Sequence, residues 1–219
     1  MRNIILIAPP AAGKGTQAKL LEEKYKIPHI STGDLLRNEI NSDTELAKEI
    51  KHLIENGLFV GDDIVLELVI NRINCEDCKN GYILDGFPRN INQAKLYDDY
   101  LNQNSEPSEI AILINLSKEI AKLRIENRIS CSKCGRIYNL NDEKLQPKKA
   151  GICDYCGNNL SKRKDDNNDT YDIRYNKYVE DTEPIIKYYQ EKNKLYIVDG
   201  NTTVESIQNE INDIINKLK

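Results

Sequence analysis

Nine residues near the N-terminus, A-P-P-A-A-G-K-G-T at Ala8–Thr16, have the types and spacing to hold phosphate. They follow a short β-branched run and open a helical pattern. Such a loop turns successive backbone N–H groups inward, and the helix N-terminus adds positive potential. Ala11, Ala12, Gly13 and Gly15 would supply backbone to a bound nucleotide. Lys14 would reach its β- and γ-phosphates, and Thr16 a phosphate or a Mg²⁺-bound water. The plainer reading is a strand–turn–helix with a glycine for tight packing. Ala8 and Ala11 stand where the usual pattern carries Gly. If either position needs φ > 0, alanine there costs on the order of 1 kcal/mol. Nucleotide binding is then expected to be weaker than in an Ala8→Gly, Ala11→Gly variant.

The six cysteines fall as three C-x-x-C pairs, at 75/78, 131/134 and 153/156. Cys131, Cys134, Cys153 and Cys156 form two knuckles, each followed by Gly, and four soft ligands can close tetrahedrally on Zn²⁺. Such a site has no open position and would be structural. Structural iron or a disulfide-linked pair are the alternatives. Cys75 and Cys78 lack the trailing Gly and have no second pair, and they read as free thiols.

These groups need a scaffold. The chain has 219 residues, 39% hydrophobic and 30% charged, with mean hydropathy −0.61 and net charge −4. That suits a globular domain with insertions. No apolar run reaches the roughly 18–20 residues of a membrane helix. The acidic balance argues against a general nucleic-acid or anionic-membrane binder. Ile4–Ala8 is too short for a signal peptide, so a cytoplasmic protein is expected. Strand patterns at 3–8, 27–30, 82–84, 110–116 and 195–198 alternate with helical patterns at 14–25, 64–73, 91–101, 118–128, 171–189 and 204–218. The alternation predicts an α/β fold with an open, mostly parallel sheet. Residues 31–60 carry two helical patterns, and residues 127–166 little periodicity. Both read as insertions. Asp85 ends a strand at its carboxyl end, where such sheets place ligands. It would orient Mg²⁺ through water, or else serve as a turn carboxylate.

Three further motifs narrow the reading: I-S-T-G-D-L-L-R at 30–37, L-D-G-F-P-R-N-I-N-Q at 84–93, and K-R-K-D-D at 162–166 with Arg174 beyond. Together with the phosphate loop they make the chain resemble the adenylate kinase family along almost its whole length, in the long form with a metal-bearing lid. The resemblance implies a P-loop, doubly wound, five-stranded core at 1–30, 61–126 and 167–219, an AMP-binding insertion at 31–60, and a zinc-bearing lid at 127–166. It implies the reaction Mg·ATP + AMP ⇌ 2 ADP in a monomer, with Mg²⁺ and a structural Zn²⁺ as metals and no nucleic-acid or membrane partner.

By that resemblance Arg37 and Arg89 hold the AMP phosphate. Arg124 and Arg128, on the helix entering the lid, contact ATP. Arg163 and Arg174 close over the transferring group. Val60 and Gly86 join the AMP site, and Ile137, Tyr138 and Gly200–Thr202 lie near the donor base. Phosphoryl transfer needs this cation ring, because positioning and charge neutralisation do most of the work. Thr32 fits AMP, and Gln93 can offer a donor and an acceptor to an adenine edge. Asp165 and Asp166 either close the lid or form a solvated pair. Ile129 replaces a second Arg common in the family, and Asp172 stands where a basic residue is common. His29 and His52 match no catalytic role. The rivals are a related nucleoside monophosphate kinase, using GTP or accepting UMP or CMP, and a zinc-ribbon nucleic-acid-binding protein.

Overall fold

The structure is a computed structural model that describes residues 3–42, 44–55, 60–104, 108–162 and 168–218. Five strands, β1 (Asn3–Ile7), β2 (His29–Ser31), β3 (Ile83–Asp85), β4 (Glu109–Asn115) and β8 (Leu195–Asp199), form a sheet in the order β2-β3-β1-β4-β8. Every pairing in it is parallel. The α/β expectation holds, and each core strand pattern falls on an observed strand. Parallel strands buried on both faces read as unbroken apolar runs, and all five residues of β1 are buried.

The two faces separate by the period of two. Ile4 and Leu6 join Ile110, Ile112 and Ile114 beneath α1 (Lys14–Tyr25), α6 (Lys118–Glu126) and α8 (Val204–Lys217), which contribute Leu21, Ile125 and Ile211. Ile5 and Ile7 join Leu84, Ala111 and Leu113 on the other face. That face is covered by α4 (Asp62–Ile73), α5 (Ile91–Gln103) and α7 (Asn168–Glu191), through Val69, Tyr97 and Ile185. β8 is an edge strand, and its Ile197 is exposed.

Between β2 and α4 lie α2 (Thr32–Ile40) and α3 (Glu45–Glu55). They match the two helical patterns of residues 31–60. The Thr44 hydroxyl caps α3 by accepting from the Ala47 N–H at 3.0 Å.

Two sequence expectations need correction. The pattern 118–128 is not one helix. α6 ends at Glu126, and Arg128 opens β5 (Arg128–Cys131), so Arg128 is a strand residue and not a helical one. Asn127 ends the helix with its side-chain amide donating to the Leu123 carbonyl at 2.9 Å. The segment that follows is not irregular either. β5 pairs antiparallel with β6 (Ile137–Asn139) and with β7 (Leu160–Ser161), giving a second, three-stranded sheet. Strands of two to four residues are too short to show a period in sequence.

Asp172, which stands where a basic residue is common in the family, has partners of its own. It lies on α7 and pairs with Lys118 (2.8 Å) and Lys122 (3.6 Å) of α6, so it ties two core helices together.

Candidate active site

The phosphate loop leaves the carboxyl end of β1 at the centre of the sheet, between β3 and β4. This is the point where the strand order reverses, and open α/β sheets bind ligands there. Gly13 caps α1, and its carbonyl accepts from the N–H groups of Thr16 and Gln17, both at 3.0 Å. The N–H groups of Lys14 and Gly15, ahead of that pair, have no carbonyl one turn earlier to bond.

Of the two alanines that replace glycine, only one carries strain. Ala11 has φ +65°, in the left-handed region, whereas Ala8 is not among the residues with positive φ. The expected cost therefore falls on position 11 alone. Ala11→Gly should raise the melting temperature by about 2–4 °C, the effect of roughly 1 kcal/mol in a chain of this size. Ala8→Gly should give no such gain. Thermal unfolding of both variants checks this, and equal melting of wild type and Ala11→Gly would refute it.

Lys14 extends from the loop to Asp85 at the end of β3, with Nζ 3.2 Å from Oδ1. His29 of β2 contacts the other carboxylate oxygen, Oδ2, also at 3.2 Å. Burial alone would raise the Asp85 pKa. Lys14 and then His29 outweigh it and bring the carboxyl down to about 2, so Asp85 is ionised at neutral pH. A β-carbon on Gly15 would lie 3.8 Å from Asp85 Oδ2 and 4.0 Å from Ile137 Cδ1. Ile137 of the small sheet thus borders the loop.

The second motif turns back at Gly86, which has φ +81°. A side chain there would meet the Thr32 hydroxyl at 2.9 Å and the Arg89 guanidinium at 3.3 Å, so the close approach requires glycine. The Gly86 carbonyl accepts from Thr32 Oγ1 at 2.8 Å and from Arg89 Nε at 2.9 Å. Burial lowers the Arg89 pKa most. Asp85 acts to raise it, while Arg174 and Arg37 lower it further. These interactions bring three arginines from α2, the β3–α5 turn and α7 into one field. Arg37 itself is largely exposed and bonds Asp34 at 2.5 Å.

On the other side, Arg124 of α6 donates to the carbonyls of Gly200 (3.1 Å) and Thr202 (3.4 Å). The structure thus joins Arg124 to the loop expected near the donor base. Arg128 is buried at the start of β5. Val60 packs against the core cluster beneath α4 and α5. Arg163, Asp165 and Asp166 lie outside the described residues.

Gln93 is buried, and both ends of its amide are engaged. Nε2 donates to Asp62 Oδ1 at 2.7 Å, and Oε1 accepts from the Arg89 N–H at 2.8 Å. Sequence reasoning missed Asp62, because an acidic residue in the first turn of a helix is ordinary. It also gave His29 no role. Its contact with Asp85 follows from β2 lying beside β3, with Ser31 opposite Asp85 in register. Nothing in the local sequence announces that pairing.

The four cysteines of the small sheet come together as expected. Their sulfurs all lie within 4.8 Å of one another, and no other such group occurs among the described residues. Cys131 and Cys156 are 3.4 Å apart, and Cys134 and Cys153 3.6 Å. A tetrahedral site with Zn–S bonds of about 2.3 Å needs sulfurs roughly 3.8 Å apart, so the set fits zinc. Both knuckles close by a backbone bond, Gly135 N–H to Cys131 O (3.0 Å) and Gly157 N–H to Cys153 O (2.9 Å).

The thiols divide in acidity. A hydrogen bond from Tyr138 leads the effects that bring Cys153 down to about 6. At Cys156 the Asn158 N–H favours the thiolate, but burial and the other three sulfurs push the pKa up to about 12. Four crowded thiolates need a cation. The Tyr138 side chain belongs to this cluster, which leaves its backbone for the donor base expected beside it. Its hydroxyl donates to Cys153 Sγ (3.4 Å) and accepts from the Asp154 N–H (2.8 Å) inside the cysteine cluster. Cys75 is exposed and Cys78 buried at the end of α4, where Arg72 donates to Cys78 Sγ at 3.0 Å.

No described helix is long and apolar enough to cross a membrane. Comparison with known proteins agrees with the geometry. The family model described as adenylate kinase matches residues 6–194. A curated adenylate kinase of Clostridium tetani (strain Massachusetts / E88) is 44% identical over 211 residues, covering 94% of this chain and 97% of the relative. One from Thermosipho africanus (strain TCF52B) is 44% identical over 215 residues, covering 98% and 100%. One from Clostridium acetobutylicum is 41% identical over 216 residues, covering 99% and 100%. With its central phosphate loop, its facing arginines and a match of this extent, the chain belongs to the adenylate kinase family.

Proposed function

We propose that the protein transfers the terminal phosphoryl group of Mg·ATP reversibly to AMP, giving two ADP. Membership of the family makes it a phosphotransferase. The observation that carries the specific reaction is the convergence of cations from separate elements: Lys14 on Asp85, and Arg89 within the field of Arg37 and Arg174. Two nucleotides meeting end to end bring several negative charges together, and a fixed set of cations offsets them without reorganisation.

In this reading Lys14 and the first N–H groups of α1 hold the donor phosphates. Arg124 and Arg128 flank the donor, and Arg124 also fixes the 200–202 loop. Arg37 and Arg89 hold the acceptor phosphate, while Arg174 and Arg163 face the group in transit. Thr32 and Gly86 shape the acceptor pocket, together with Val60. Asp85 is the ionised carboxylate placed to orient Mg²⁺, which when bound would offset phosphate charge. The residues 31–60 close over AMP and 127–166 over ATP, excluding water and so suppressing hydrolysis. The cysteine set holds a structural zinc that stiffens a small sheet with little core of its own. The protein acts as a cytoplasmic monomer.

A turnover assay with Mg²⁺ and a panel of donors (ATP, GTP) and acceptors (AMP, UMP, CMP) tests the reading. ATP with AMP is expected to be the preferred pair, with ADP as the sole product. Preference for GTP, UMP or CMP would replace it with a related nucleoside monophosphate kinase.

A further inference from the structure

We infer that Asp62 is a positioning residue that fixes which way round the Gln93 amide faces the acceptor base, and so selects a 6-amino purine over a 6-oxo purine. The inference rests on the acceptor-site reading above.

An amide has two N–H donors on nitrogen and two lone pairs on oxygen. In Gln93 one donor is committed to Asp62 and one lone pair to the Arg89 N–H. Reversing the amide would set its oxygen against a carboxylate oxygen and its NH₂ against an N–H group. Both contacts would be repulsive, so only one orientation is allowed. One N–H and one lone pair remain for a ligand, in a fixed order.

Adenine offers a 6-amino donor beside the N1 acceptor. A 6-oxopurine offers the reverse, an acceptor beside an N1–H donor. An amide locked in one order therefore pairs with the first and leaves buried polar groups unpaired against the second. That is the strongest form of discrimination available to a hydrogen-bonding site.

Asp62 is itself held in place. It stands in the first turn of α4, where the helix favours negative charge. Asn90 Nδ2 donates to Oδ1 at 2.8 Å, and Asn92 Nδ2 donates to Oδ2 at 2.9 Å. Asn90 also caps α5, accepting from the Gln93 N–H at 2.9 Å. Burial raises the Asp62 pKa, but the amides of Asn92, Asn90 and Gln93 outweigh it and hold the group below the usual carboxylate range. Asp62 is thus an obligate acceptor toward Gln93. Asparagine at position 62 could accept or donate and would tolerate both amide orientations. Alanine would leave only the Arg89 N–H as a guide.

The test compares kcat/KM for AMP and for inosine monophosphate, with saturating Mg·ATP, in wild type, Asp62→Asn, Asp62→Ala and Asn92→Ala. The AMP-to-inosine ratio should fall about tenfold or more in both Asp62 variants, mainly through KM. Asn92→Ala loosens the same cluster without touching Gln93, and it should keep the wild-type ratio. Thermal unfolding of each variant separates a change in selectivity from a loss of fold, and either Asp62 variant suffices. An unchanged ratio in the folded Asp62 variants overturns the inference, as does an equal shift in Asn92→Ala. A wild type that does not turn over AMP overturns the acceptor-site reading itself, and this inference with it.

Discussion

Lys14→Met should lower turnover of Mg·ATP with AMP by about 10²–10³-fold, the usual consequence of removing one fixed charge-stabilising donor. Methionine keeps the length and apolar stem of lysine and takes away only the ammonium. The loop backbone and α1 do not depend on that charge, since Gly13 caps the helix through its carbonyl. The melting temperature should still fall, because the buried Asp85 carboxylate loses the ammonium that offsets its burial, and the loss of turnover must be read on protein shown to be folded. Most of the loss should appear in kcat, because charge builds where the phosphoryl group moves. A coupled ADP assay and a melting curve on the same sample decide the matter. Turnover near that of wild type would sink the phosphate-loop assignment.

The second large effect is expected at the cysteines. Elemental analysis should find one zinc per chain in the wild type. Cys153→Ser should lose it, with metal affinity falling by more than about 100-fold, the upper range for outer-shell partners alone. A hydrogen bond from Tyr138 and the neighbouring N–H groups favour the Cys153 thiolate. The loss of Cys153 removes one of the four ligands of a site with no open position. The three-stranded sheet should melt earlier, because its apolar core among the described residues is small, built on buried Cys131, Tyr138 and Cys153. Cys75→Ser should keep the metal, since Cys75 and Cys78 stand apart from the four. Two zincs per chain in the wild type would contradict this assignment.

The sequence was most legible where burial is complete. β1 and β4 lie in the middle of a parallel sheet, so Ile4–Ile7 and Ile110–Ile114 read directly as strands. The phosphate loop and the C-x-x-C knuckles were legible because their chemistry demands fixed local spacing. What stayed hidden depended on partners distant along the chain. β5, β6 and β7 are held by each other and by the knuckles, and they are too short to show a period. His29 reaches Asp85 only because β2 and β3, some fifty residues apart in the chain, pair side by side. Asp62 meets Gln93 from the start of a different helix. Ala11 lay between these cases: its anomaly was visible, but only the backbone angle showed that position 11, and not position 8, bears the strain.

The bond between Lys14 and Asp85 means that the two most important opposite charges of the cleft already satisfy one another. Drawing Lys14 away toward a polyphosphate leaves Asp85 with its His29 hydrogen bond but without its ion pair. A bare anion must therefore tear open a settled contact and leave a carboxylate wanting. A polyphosphate that travels with its own cation restores the balance as it enters. Under the proposed function, this pairing is expected to favour a polyphosphate that arrives with its cation over the bare anion.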